Sequence, residues 1–128
     1  MFKDTKAFSG FSVDNLQKAK QFYGETLGLD VSEMEEMPVL SLSISGGTKI
    51  MIYEKPNHEP ATFTILNFPA ADIEKSVEEL KDKDVVFESY DYPGLKTDEN
   101  NISRGNGGPS IAWFKDPAGN ILSVLEEE

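Results

Sequence analysis

The chain contains no cysteine, one histidine, one arginine and one tryptophan among its 128 residues. Without cysteine, neither a disulfide nor a thiolate metal site can form. One imidazole does not make a metal centre without carboxylates beside it. No apolar run approaches the roughly 18 residues that would span a bilayer. The N-terminus lacks the basic-then-apolar order of a signal peptide. A soluble, cytoplasmic protein with no membrane partner is expected. Positive charge is also scarce. Twelve Lys and Arg face 23 Asp and Glu, for a net charge of −11. The basic residues are scattered, whereas binding a phosphate backbone needs them clustered, so nucleic acid is not an expected partner. The acidity either steers a cationic ligand or simply keeps the surface solvated.

What is present is enough for one ordinary domain with its own core. A strand is expected over 7–13, where Phe11 and Val13 alternate with Gly10 and Ser12. Asn15 suits a helix N-cap, Leu16, Ala19, Tyr23 and Leu27 follow at helical spacing, and Gly28 suits the stop. Strands are expected over 29–35, 39–45 and 48–54. After a polar linker, Lys55 to Pro60, the order repeats: a strand over 61–68, a helix capped by Asp72 with Ile73, Val77 and Leu80 on its apolar face, a strand over 85–90, and a hairpin over 110–125. The same spacing of 57 separates Asn15 from Asp72, Leu16 from Ile73 and Lys18 from Lys75. The expected fold is α+β: one domain of two tandem βαβββ modules, about 1–56 and 61–128. The stretch from 91 to 109 reads as a long loop. In it, Arg104 before Gly105-Asn106-Gly107-Gly108 either helps close over something or is incidental.

The closing hairpin is the most specific motif. Trp113-Phe114-Lys115 leads into Asp116-Pro117-Ala118-Gly119-Asn120, and Ile121 to Leu125 forms the last strand. Pro117 presets φ for the turn and Gly119 permits a positive φ. With Phe22-Tyr23 and Leu27-Gly28 in the first helix and Asp72 to Leu80 in the second, the chain resembles the vicinal oxygen chelate superfamily. That superfamily includes glyoxalase I, bleomycin-resistance proteins and extradiol dioxygenases. The resemblance runs over essentially the whole chain and implies an open, cup-shaped mixed sheet with helices outside. In the enzymes, His, Glu or Gln on the first and last strand of each module bind a divalent metal in the cup.

Carried over one at a time, those ligand positions fall on Phe8, seven before the cap Asn15; Met51; Ile65, seven before the cap Asp72; and Ser123, in the closing strand. None suits a hard divalent cation. A frame shift of one gives Ala7, Ile50, Thr64 and Leu122, or Ser9, Ile52, Leu66 and Val124, and neither set is better. No cofactor is therefore expected. Strand alternation puts Phe11, Val13, Ile50, Ile52, Leu66, Phe68, Leu122 and Val124 against the helices. Phe8, Met51, Tyr53, Phe63, Ile65, Asn67 and Ser123 then share the cup side, with Gly10, Ser12, Ile121 and Leu125. That mixed apolar lining suits a small-molecule pocket.

Trp113 and Tyr53 either stack on a flat or cationic ligand or are simple packing. Asn67 and Ser123 are placed to orient a ligand by hydrogen bonds, and Arg104 joins the candidate ligand-binding set. His58 reads as an exposed linker histidine, with a general acid–base role as the alternative. The resemblance and the ligand positions lead to a metal-free protein that binds a small, partly apolar molecule, neutral or cationic, by analogy with bleomycin-resistance proteins. The alternative is an enzyme of the superfamily: a lyase, isomerase or dioxygenase with an atypical metal site, or a metal-free catalyst using Tyr53, His58, Glu88 or Arg104. A homodimer is expected from the resemblance.

Overall fold

Asn15 and Asp72 do the same work in the two halves of the chain. Each has an extended backbone and accepts a hydrogen bond from the amide three residues on, Lys18 N at 3.0 Å and Lys75 N at 3.2 Å. That side-chain acceptor satisfies one of the amides left unpaired at a helix start. The computed structural model describes residues 1–105 and 108–127. The chain divides into two compact units, Met1–Glu59 and Pro60–Glu128.

The first unit runs β1 (Ser9–Val13), α1 (Leu16–Gln21), a π-helical turn (Phe22–Thr26), β2 (Asp30–Glu33), β3 (Val39–Ile44) and β4 (Thr48–Glu54). Its sheet has the order β1-β4-β3-β2, with β1 parallel to β4 and the other pairs antiparallel. Alternation puts Val13, Leu40, Leu42, Ile50 and Ile52 on the buried face, with Ala19 and Tyr23 of the helical segment. The expected single helix to Gly28 is corrected here. Its second half widens so that Leu27 N donates to Phe22 O, five residues back. Tyr23 sits on this turn with no exposed surface, its ring 5.7 Å from Phe11 and 5.2 Å from Phe22. Burying an aromatic of this size stabilises the fold by roughly 2–3 kcal/mol. Gly28, at φ +72°, ends the segment as the sequence implied.

The second unit runs β5 (Thr64–Pro69), α2 (Ile73–Asp82), β6 (Asp91–Tyr92), β7 (Leu95–Lys96), β8 (Ser103–Arg104), β9 (Ser110–Lys115) and β10 (Ile121–Glu126). The main sheet has the order β5-β10-β9-β8, the same topology as the first: β5 is parallel to β10 and the rest are antiparallel. Ala112, Phe114, Leu122 and Val124 are buried on the face that α2 covers with Ile73 and Val77. The architecture is therefore α+β, with two open, four-stranded mixed sheets built on one βαβββ plan.

Two expectations in this unit are corrected. The segment 85–90 is not a ladder strand: it makes a single bridge, Phe87 to Phe114, supported by Glu88 N donating to Trp113 O at 2.8 Å. The segment 91–109 is not one open loop. It holds the β6–β7 hairpin and then β8, which pairs Ser103 with Ile111 and Arg104 with Ser110. Both follow from one cause. The outer edge of β9 is shared between two short segments, residues 87–88 near its C-terminal end and 103–104 near its start, and the chain between them folds out as its own hairpin. Asn106, Gly107 and Glu128 lie outside the described residues, and with them part of the glycine run after Arg104. Among the described residues, no helix is long and apolar enough to cross a membrane.

Candidate functional site

In the first unit, Phe8 and Met51 come together. Phe8 precedes β1 rather than lying in it, because pairing with β4 begins at Ser9 with Ile50, and Phe8 is 70% exposed. Phe8 and Met51 line one groove of about 450 Å³, with Lys6, Gly46, Gly47 and Lys49 around it. Met51 and Tyr53 alternate with the buried Ile50 and Ile52, so they share the face of β4 turned from α1. Tyr53 is partnered in register with Ser12. The Ser12 hydroxyl lies 2.7 Å from His58 Nδ1, a hydrogen bond whose donor depends on the imidazole tautomer.

His58 is thus half-buried and tied to β1, which corrects its reading as an exposed linker residue. The parallel ladder explains why. Lys55 N donates to Val13 O at 3.0 Å, extending the β1–β4 pairing past Glu54, and His58 N closes a turn on Lys55 O. The signal was available: once β1 and β4 are parallel neighbours, a residue four beyond Glu54 turns back beside the end of β1.

In the second unit, Asn67 and Ser123 come together on paired strands. Ser123 is in register with Asn67 on one side and with Trp113 on the other. The Ser123 hydroxyl donates to Asn67 Oδ1 at 2.6 Å. The β5–β10 register slips between Ile121 and Leu122, which pair with Thr64 and Leu66, so Ile65 is the extra residue of a bulge. Phe63 precedes β5 and is 67% exposed. Trp113, Ser123 and Asn67 form one row on the face away from α2. Ile65, Ile121 and Leu125 are half-buried around them.

Two tyrosines that sequence reasoning did not single out extend this row. The Tyr90 ring meets Trp113 edge-on at 5.4 Å, and Tyr92 stacks on Tyr90 at 6.2 Å. Burial raises the Tyr90 phenol above its ordinary value, and Glu88 nearby adds to this against the opposing Lys115. No periodic signal marked these tyrosines, because Tyr90 follows the single Phe87 bridge outside any strand and Tyr92 ends the two-residue β6.

Arg104 does not join this row. In register with the buried Ser110, it lies on the α2 side of the sheet. Its guanidinium pairs with Glu74 Oε1 at 2.7 Å and Asp98 Oδ2 at 3.1 Å. For Asp98, burial acts to raise the carboxyl, but the amides of Ile102 and Asn100 together with Arg104 outweigh it and hold the group below its ordinary value. The hydrogen bond that Arg104 donates to Asp98, with the one to Glu74, holds the guanidinium above its ordinary value against burial.

The four positions where the resemblance places metal ligands hold no suitable donor set. Phe8 and Ile65 offer hydrocarbon, Met51 a thioether, and Ser123 a hydroxyl already engaged with Asn67. Hard and borderline divalent cations take carboxylate oxygens or imidazole nitrogens, so a metal does not fit here. Among the described residues, no group of three or more His, Cys, Asp or Glu is placed to hold a metal ion. What the two faces can do is pack apolar surface and offer a few hydrogen bonds.

Comparison with known proteins agrees with this architecture. The Bacillus subtilis (strain 168) protein YraH is 23% identical over 127 aligned residues, covering 89% of this chain and 91% of that one. The crystal structure of TnmS3, an antibiotic binding protein from Streptomyces sp. CB03234, has a TM-score of 0.69 at 22% identity and covers 98% of both chains. The fosfomycin resistance protein FosX from Listeria monocytogenes has a TM-score of 0.72 at 16% identity, over 98% of this chain and 92% of that one. At these identities the solved structures establish the fold alone. The profile of one family matches residues 8–124, nearly the whole chain, and this chain belongs to that family, the Glyoxalase/Bleomycin resistance protein/Dioxygenase superfamily.

Proposed function

We propose that this protein binds a small, partly apolar molecule without a metal ion, on the sheet faces turned away from its helices. In the first unit the binding residues are Phe8, Met51 and Tyr53. In the second they are Phe63, Ile65, Asn67, Trp113 and Ser123. Arg104, engaged with Glu74 and Asp98, acts from outside this set by tying β8 and the turn at Asp98 to α2. The observation that carries the reading is the replacement of a metal-ligand set by Phe8, Met51, Ile65 and Ser123 on faces otherwise lined by the half-buried Trp113, Ile121 and Leu125 and the exposed Tyr53 and Phe63. Such faces suit a ligand held by area and a few oriented hydrogen bonds. The net charge of −11 favours neutral or cationic ligands over anions. The family includes bleomycin resistance proteins, and one structural neighbour is an antibiotic binding protein, so a drug-like ligand is within the expected range. The protein works as a homodimer in the cytoplasm on this reading. A thermal-shift screen of hydrophobic and cationic small molecules tests it: a binder at 100 times its Kd raises stability by about 2.7 kcal/mol. No shift across the panel would refute it.

The Ser12–His58 hydrogen bond supports a second reading, a metal-free enzyme of the same superfamily. A hydroxyl held 2.7 Å from an imidazole is within reach for proton transfer. Once a reaction is found, His58→Ala with unchanged turnover would remove it.

A further inference from the structure

The polar centre of the second unit has a fixed direction. Ser123 is fully buried, and among the described residues its hydroxyl has a single hydrogen-bond partner, Asn67 Oδ1 at 2.6 Å. A buried hydroxyl hydrogen left without an acceptor is costly. The serine therefore donates, and the Asn67 amide oxygen is the acceptor that satisfies it. An amide has one oxygen and one NH₂ group. With the oxygen turned toward Ser123, the two N–H donors of the exposed Asn67 are left for another partner. No hydrogen bond from Nδ2 is formed within the described residues. The position where the resemblance puts an anionic metal ligand thus holds a serine that aims its neighbour's amide.

What lies beside those donors narrows the ligand. Trp113 is in register with Ser123 and half-buried, and Tyr90 and Tyr92 continue the aromatic row away from it. Ile65, Ile121 and Leu125 complete the surround. Glu88 and Lys115, whose groups are 3.2 Å apart, neutralise one another at the edge of the row. With Glu88 paired and the protein acidic throughout, nothing on this face calls for an anionic ligand.

We infer that Ser123 is a positioning residue that aims the Asn67 amide N–H groups at a carbonyl oxygen of an uncharged fused-ring ligand, whose rings lie along Trp113. This deepens the binding reading above and rests on it. It adds a direction of hydrogen bonding: the protein donates, the ligand accepts. A hydroxyl or amine used only as a donor would have to share the Asn67 oxygen with Ser123, whereas a carbonyl meets the two N–H donors directly.

The test uses 1-tetralone and tetralin, which share a fused-ring skeleton and differ by the carbonyl. Binding is followed by the fluorescence of Trp113, the single tryptophan of the chain. The wild-type protein is expected to bind the ketone about tenfold more tightly, the value of one net hydrogen bond. Asn67→Leu is expected to erase that preference while tetralin binding persists. Ser123→Ala frees the amide to rotate and is expected to shrink the preference by about half on a logarithmic scale. The double variant Asn67→Leu/Ser123→Ala leaves no buried hydroxyl unpaired and guards against a folding defect in the single variant. A merely structural role for the pair would change both affinities together and leave their ratio intact. A ratio near one in the wild type, or a preference that survives Asn67→Leu, would overturn the inference while binding itself stands. If neither compound binds saturably, the binding reading falls and this inference falls with it.

Discussion

The Ser123 hydroxyl and the Asn67 amide oxygen lie 2.6 Å apart across paired strands, one side chain fully buried and the other exposed. That unequal burial makes the two truncations unequal. Asn67→Leu strands a buried hydroxyl and is expected to cost about 1–3 kcal/mol. Ser123→Ala leaves an exposed amide that water can serve, and is expected to cost less than about 1 kcal/mol. The double variant should lie closer to wild type than Asn67→Leu does. Urea unfolding of the three variants measures the difference.

Asp116 holds the turn that closes the chain. Its buried carboxylate accepts from Ala118 N at 3.0 Å, Asn120 N at 2.8 Å and Asn120 Nδ2 at 3.1 Å. Asp116→Ala leaves those donors without their acceptor and is expected to destabilise the protein by about 3 kcal/mol or more. Asp116→Asn keeps one acceptor oxygen and should cost less. Thermal denaturation of both variants checks the order.

Gly119 occupies φ +87°, and a Cβ there would stand 3.0 Å from Pro60 Cγ. Gly119→Ala adds backbone strain to a steric clash and is expected to cost about 1–3 kcal/mol. Gly28 is an informative control. Its φ is +72° but a Cβ there meets nothing within 4 Å, so Gly28→Ala should cost less than Gly119→Ala.

Asp98 is held below the ordinary carboxylate range, so it binds protons less readily folded than unfolded. Its contribution is present above the unfolded pKa and is lost as pH falls through the folded one. The wild type should therefore lose stability across the acid range. Asp98→Asn should start less stable near neutral pH and lose less on acidification. Thermal midpoints of the two proteins from neutral to acid pH make the comparison. Parallel curves would show that Asp98 is not the group responsible.

The fold was legible in the sequence because its signals are local. Asn15 and Asp72 announce their helices by residue type, the turn at 116–120 by Pro117 and Gly119, and the buried faces by alternation through Ile50, Ile52, Leu122 and Val124. The signals that failed depend on partners far along the chain. The π-helical turn answers to the burial of Tyr23 between Phe11 and Phe22, which no helical period reveals. The segment 85–90 has strand-forming residues but shares the edge of β9 with Ser103 and Arg104, so it gains only one bridge. For the candidate site, alternation put Met51, Tyr53, Asn67 and Ser123 on the expected faces. It could not say that His58 turns back to Ser12, or that Arg104 points to α2, since both follow from strand pairing and ion pairing rather than from period.

Binding of a small molecule without a metal can be tested in a single titration. Protein treated with a chelator and then dialysed is titrated with the strongest binder from the thermal-shift panel, and Trp113 fluorescence is followed with and without added zinc, nickel, manganese or iron(II). Saturable binding by the chelated protein is expected, with the same Kd when any of these metals is restored. Binding that appears only after a divalent metal is returned would contradict it.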